Sequence, residues 1–172
     1  LKKEARIQVL ASLGKYLQDG GDADLTLAIQ RSHAENQWFT VDNIQNALNA
    51  IATQLLDEDT LNSWLNQYPL ANTDYPAKTI GLVMAGNIPL VGFHDWLCVF
   101  AAGYRARVKL SDKDKHLLPF LVKKMGEWAF ESLAYTEFLV EHEPLNQFDA
   151  VIATGSNNSA RYFEQYFSKY PH

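Results

Sequence analysis

The sequence predicts an α/β protein: a helical N-terminal region followed by an open, doubly wound, mostly parallel sheet. Three observations carry that expectation. Residues 1–70 repeat apolar side chains at helical spacing and show no strand pattern. From Pro76 onward, short apolar runs alternate with amphipathic stretches in the order strand, helix, strand, helix, strand, strand, helix. The strand-like runs end in turns of small or polar residues, as at Gly86-Asn87, Lys109-Ser111-Asp112 and Thr154-Gly155-Ser156. Parallel strands require long crossovers, which helices supply, so this alternation reads as a parallel sheet wound on both faces.

The first helix is expected to end at Leu17, with Leu10, Leu13 and Leu17 on one face and Asp19-Gly20-Gly21 stopping it. A second runs from Asp22 to about His33 through Leu25, Ala28 and Ile29. Thr40 suits an N-cap, and Phe39 can staple onto Ile44. The third helix then carries Ile44, Leu48, Ile51 and Leu55 as one stripe. Asp57-Glu58-Asp59 caps a short fourth helix holding Leu61, Trp64, Leu65 and Tyr68.

Thr79 to Met84 is almost wholly apolar, as expected of a strand buried on both faces. Ala85 to Pro89 forms a turn, and a helix is expected over 90–102, with Gly103 as its C-cap. Arg105 to Leu110 alternates like a strand. A long helix is expected from near Asp114 through Trp128 and Phe130. Strands follow at Thr136–Glu141 and Phe148–Ala153, and the Thr154-Gly155-Ser156 turn opens a last helix with Phe163, Tyr166 and Phe167.

The 172 residues suffice for a substantial core, and a 47% apolar, 20% charged composition is ordinary for a globular chain. Net charge is −5 and basic residues form no long run, so no nucleic-acid partner is expected. One cysteine cannot form an internal disulfide or a multi-cysteine zinc site. No apolar run approaches the ~20 residues of a membrane span, and no signal peptide is visible. A soluble, cytoplasmic protein is expected, with no membrane span; a homo-oligomer remains open.

Open parallel sheets bind ligands at the carboxyl ends of their strands. Residues 76–172 are therefore read as a Rossmann-like nucleotide-binding part. Thr154-Gly155-Ser156 precedes a helix, whose amides and dipole can hold a phosphate. Lys109 could donate to ribose hydroxyls, and Asn87 offers an amide donor for a developing oxyanion. Simpler readings stand beside these. Gly86 and Gly155 could serve only as turn formers, Asn87 could cap its turn, and Lys109 could simply be solvated. Neither a G-x-G-x-x-G fingerprint nor a P-loop is present. Cys98 sits mid-helix among Trp96, Leu97, Val99 and Phe100, a setting that favours an inert structural thiol. His94-Asp95 is read as neighbours rather than a dyad, since adjacent helical side chains diverge. His142, between two glutamates, lacks a second histidine at ligand spacing, so no metal site is expected.

Gly86-Asn87-Ile88-Pro89-Leu90 resembles the aldehyde dehydrogenase turn written P-W-N-F-P-L. Val108-Lys109-Leu110-Ser111-Asp112 resembles its K-P-S-E strand end, and Ala153-Thr154-Gly155-Ser156 its T-G-S turn, in the same order and at fitting spacings. Together with Phe148-Asp149-Ala150-Val151-Ile152-Ala153 and the Trp38-Phe39-Thr40 helix start, they resemble the LuxC-type acyl-CoA reductases of the aldehyde dehydrogenase superfamily. The resemblance covers most of the chain. It implies reduction of a fatty acyl thioester to an aldehyde with NADPH or NADH. It assigns Asn87 to the oxyanion, Lys109, Ser111 and Asp112 to the strand end beside the adenosine ribose, and Thr154, Gly155 and Ser156 to the pyrophosphate turn. Leu110 replaces the family's proline, Gly86 its tryptophan, and Asp112 its longer glutamate. A carboxylate near the ribose leans toward NADH, whereas luminous members of the branch use NADPH. The family's nucleophilic cysteine lies beyond the T-G-S turn and Cys98 does not match it. The chain is thus expected to be a cofactor-side portion, incomplete at its C-terminal end and inactive alone. A non-catalytic nucleotide-binding or interaction module, and an ordinary aldehyde dehydrogenase, are the alternatives.

Overall fold

The computed structural model describes residues 1–70, 76, 78–140, 143, 146–155 and 157–172. The helical region comprises α1 (Lys3–Gln18), α2 (Ala23–Glu35), α3 (Val41–Ala50) with a π-helical continuation (Ile51–Leu55), and α4 (Glu58–Leu65). Three of its helix starts follow local capping chemistry. Asp22 accepts from Leu25 N–H, Thr40 from Asn43 N–H and Asp57 from Thr60 N–H, each satisfying a first-turn amide. Phe39 and Ile44 are both buried in the core, where a staple would place them.

The third stripe departs from the expected spacing. The chain widens to π geometry after Ala50, and Leu56 N–H reaches back to Ile51 O at 3.1 Å. One extra residue in the turn rotates the face, so Ala52 and Leu56 are buried while Leu55 is only partly so. Leu56 thereby seats against Gly14 of α1, where an added Cβ would lie 2.9 Å from the Leu56 Cβ.

The remainder forms β1 (Thr79–Val83), α5 (Phe93–Ala101), β2 (Arg105–Lys109), α6 (Leu117–Trp128), a 3₁₀ segment (Phe130–Tyr135), β3 (Thr136–Phe138), β4 (Ala150–Ala153) and α7 (Asn157–Phe167). The four strands make one sheet in the order β3-β2-β1-β4, and all three pairings are parallel. Successive side chains alternate between its faces. Ile80, Leu82, Ala106 and Val108 join the main core with Trp96 and Phe100 of α5, Leu117 and Leu121 of α6, and the apolar faces of α1 to α4. Gly81 and Val151 lie on the other face. There Phe148, Val151 and Phe167 of α7 make a second, smaller cluster. An added Cβ on Gly81 would come within 2.8 Å of the Phe148 ring, so the glycine admits that ring onto the sheet.

Three expected boundaries move. The helix expected over 90–102 begins only at Phe93, because Leu90 is left-handed (φ 57°) and its N–H is taken by the Asp114 carboxylate. Asp114 does not start a helix. It is buried against Leu90, α6 starts at Leu117, and Phe130 lies beyond its end, 78% exposed. The strand expected at Thr136–Glu141 is β3, Thr136–Phe138; Glu141 and His142 fall outside the described residues. Gly103 does cap α5, at φ 83°, with its N–H on Phe100 O and Tyr104 N–H on Val99 O. No helix among the described residues is long and apolar enough to cross a membrane.

Candidate functional site at the strand carboxyl ends

The chain winds from β1 to β2 to β3 in one direction and places β4 on the opposite side of β1. The winding therefore reverses between β1 and β4. In an open parallel sheet that reversal opens a crevice at the strand carboxyl ends. The turns at Gly86-Asn87 and Thr154-Gly155 flank it. The end of β2, with Lys109, Ser111 and Asp112, lies on the other side of β1.

Backbone bonds tie these three ends together. Met84 N–H donates to Lys109 O at 3.0 Å, and Thr154 N–H donates to Val83 O at 2.9 Å. Gly86 and Ser111 meet directly: a Cβ on Gly86 would lie 2.6 Å from the Ser111 Cβ. The turn after β2 occupies the space that a side chain at Gly86 would need.

Asn87 is exposed beside exposed Ile88. Lys109 is half-buried at the end of β2, and Asp112 is exposed. Ser111 Oγ accepts from Lys113 N–H at 3.3 Å, holding its own turn rather than pointing free. Thr154 is half-buried, and its hydroxyl donates to Asp95 Oδ2 at 2.8 Å. Gly155 is exposed, two residues ahead of α7; Ser156 lies outside the described residues. The expected residues that are described thus gather at one end of the sheet.

Two carboxylates have roles that the residue pattern alone does not disclose. Asp95 reaches from the first turn of α5 to Thr154. Asp114 is 9% exposed; its Oδ2 accepts Leu90 N–H at 2.6 Å, and its Oδ1 has no hydrogen-bond partner among the described residues. Burial pushes the Asp114 carboxyl above its ordinary range, with the Leu90 N–H and His116 acting the other way.

The Cys98 thiol is also raised, by burial first and then by the Asp95 charge. It lies 3.9 Å from the His94 ring nitrogens, one helical turn away. His94 Nδ1 is likewise 3.9 Å from Asp95 Oδ1, too far for a hydrogen-bonded dyad. Among the described residues, no group of three or more His, Cys, Asp or Glu is arranged to hold a metal.

The class defined so far is an α/β chain with an all-parallel sheet whose winding reverses between β1 and β4. No family model matches the chain, and no curated protein matches it.

Proposed function

We propose that this chain binds NADPH or NADH and forms the cofactor side of a reductase that converts a fatty acyl thioester to an aldehyde. One observation carries the reading. The three segments that resemble the turns of LuxC-type acyl-CoA reductases, far apart in sequence, lie at adjacent carboxyl ends of one parallel sheet.

The residues present suit a dinucleotide. The exposed Gly155 leaves backbone accessible ahead of α7, where helix amides favour a pyrophosphate. Lys109 and Asp112 at the β2 end offer a cation and an acceptor for ribose hydroxyls, with Ser111 fixing the turn between them. When bound, the nicotinamide would supply the hydride. Asn87 would donate its carboxamide N–H to the thioester oxygen as charge builds there, an interaction strongest in the transition state. Cys98 does not match the position of the acyl-accepting cysteine in the family the chain resembles, and burial pushes its thiol up rather than down. This same feature favours the second reading, a non-catalytic nucleotide-binding module.

Titration with NADPH and with NADH, followed by nicotinamide fluorescence, tests the proposal. Saturable binding that weakens on Lys109→Ala supports it, and the ratio of the two affinities reports what Asp112 selects. No binding of either cofactor overturns the cofactor role of this chain. Binding to a full-length protein that never oxidises NADPH in the presence of long-chain acyl-CoA favours the module.

A further inference from the structure

We infer that Asp114 is a positioning residue: through Leu90 N–H its carboxylate holds the Gly86–Leu90 turn in the conformation that presents Asn87. The inference rests on the reading of Asn87 as donor to the thioester oxygen and adds the residue that aims it.

The turn is fixed at two points. At its start, Gly86 packs on Ser111 with no room for a side chain. At its end, Leu90 donates to Asp114 Oδ2 at 2.6 Å in a buried setting. Both anchors belong to the same short segment after β2. Asp114 N–H itself closes a turn onto Ser111 O at 3.0 Å, and Lys113 N–H is held by Ser111 Oγ at 3.3 Å. Asn87 and Ile88 project between the anchors and are exposed.

Leu90 explains why an anchor is needed there. Its backbone is left-handed, which a non-glycine residue adopts only when its surroundings impose it. Its side chain is buried at 6% exposure, so a glycine would forfeit that packing. In this conformation Leu90 N–H has left the helical ladder, and Phe93 N–H bonding to Leu90 O at 2.9 Å opens α5. The carboxylate supplies the acceptor the backbone cannot.

Satisfying one amide does not require an ionisable group. Asp114 leaves Oδ1 buried with no partner among the described residues, an unfavourable arrangement for a mere cap. A charged acceptor makes a shorter bond than a neutral one, so the neutral carboxamide of Asp114→Asn is expected to hold the same turn through a weaker bond. The titratable and charged groups around it are His116, whose Nε2 lies 2.9 Å from Glu35 Oε1 of α2, and the flanking Lys113 and Lys115.

The test compares Asp114→Ala and Asp114→Asn with the unaltered chain by proton–nitrogen NMR. The reporters are the Leu90 backbone amide and the Asn87 side-chain amide pair. In Asp114→Ala, both are expected to move, Leu90 upfield, while amides of α1 and α3 stay in place. In Asp114→Asn, the Leu90 amide is expected to move upfield as the charge is lost, with the Asn87 pair back at its native position. An Asn87 pair unmoved in Asp114→Ala overturns the inference, leaving Asp114 as a simple cap. Should Asp114→Ala fail to fold, Asp114→Asn decides: an unmoved Leu90 amide, or a displaced Asn87 pair, overturns it. NADPH binding by the unaltered chain is measured separately, so failure of the cofactor reading and failure of the coupling are distinguishable.

Discussion

The Thr154 hydroxyl donates to the Asp95 carboxylate at 2.8 Å, joining the turn after β4 to the helix that follows β1. The bond therefore ties the two segments that meet where the winding reverses between β1 and β4. Thr154→Val keeps the shape and removes the donor. It should destabilise the fold by about 1.5–3 kcal/mol, the range for a hydrogen bond to a charged group. NADPH affinity should fall as well. Urea unfolding and cofactor titration check the two effects separately.

Gly86→Ala should destabilise the chain by about 1–3 kcal/mol, because the new methyl meets Ser111 and the interlocked turns leave little room to move. Ser111→Gly removes the atoms it would strike, so the double variant should recover part of the loss. A double-mutant cycle in urea measures the coupling. Purely additive losses would mean that the two turns do not press on each other.

On the proposed reading, Asn87→Ala should lower reductase turnover on the order of 100-fold, as expected for an oxyanion donor, with NADPH affinity little changed. The exposed Asn87 side chain predicts near-native stability for the variant. Steady-state kinetics with a long-chain acyl-CoA check it. An equal loss of cofactor affinity would instead make Asn87 a cofactor contact.

Arg6 is fully buried, with Nε donating to Ala101 O at 3.2 Å and Nη1 to Leu1 O at 2.6 Å. It fastens α1 to the end of α5, directly beneath Gly103. Arg6→Ala leaves both carbonyls without this donor and opens a cavity, and should lower stability by about 2–4 kcal/mol. Thermal unfolding followed by circular dichroism measures it.

Acid should weaken the contact between the helical region and α6. Lys124 lies 2.8 Å from Asp22 Oδ2, and the Tyr16 hydroxyl donates to Asp22 Oδ1 at 2.6 Å. Lys124 first, then Tyr16 and the Leu25 N–H, hold the Asp22 carboxyl well below its ordinary range. A depressed carboxyl stabilises the fold fully above about pH 4, its ordinary pKa, and that contribution is lost as pH falls. Urea midpoints measured from pH 7 down to about pH 2 should fall less steeply for Asp22→Asn than for the unaltered chain.

Much of the fold is legible in local chemistry. Asp22, Thr40 and Asp57 announce helix starts because a cap acts within three residues of itself. Gly103 announces a helix end for the same reason. The errors are tertiary. Leu90 looks helical by spacing, yet Asp114, remote in sequence, takes its amide and delays α5. Leu55 fits a helical stripe, yet a π turn brings Leu56 to Gly14 instead. Asp95 and Asp114 could not be read as site-shaping residues, because their partners are defined only once the strands pair.

The order of helices and strands, their caps, and the turns that carry small and polar residues are all written in local patterns. These depend on side-chain periodicity and on hydrogen bonds that close over a few residues. The strand order, the switch point between β1 and β4, and the two anchors on the Gly86–Leu90 turn emerge only in the folded chain. Those rest on contacts between segments distant along the chain, where fit and burial select the partner and local pattern does not.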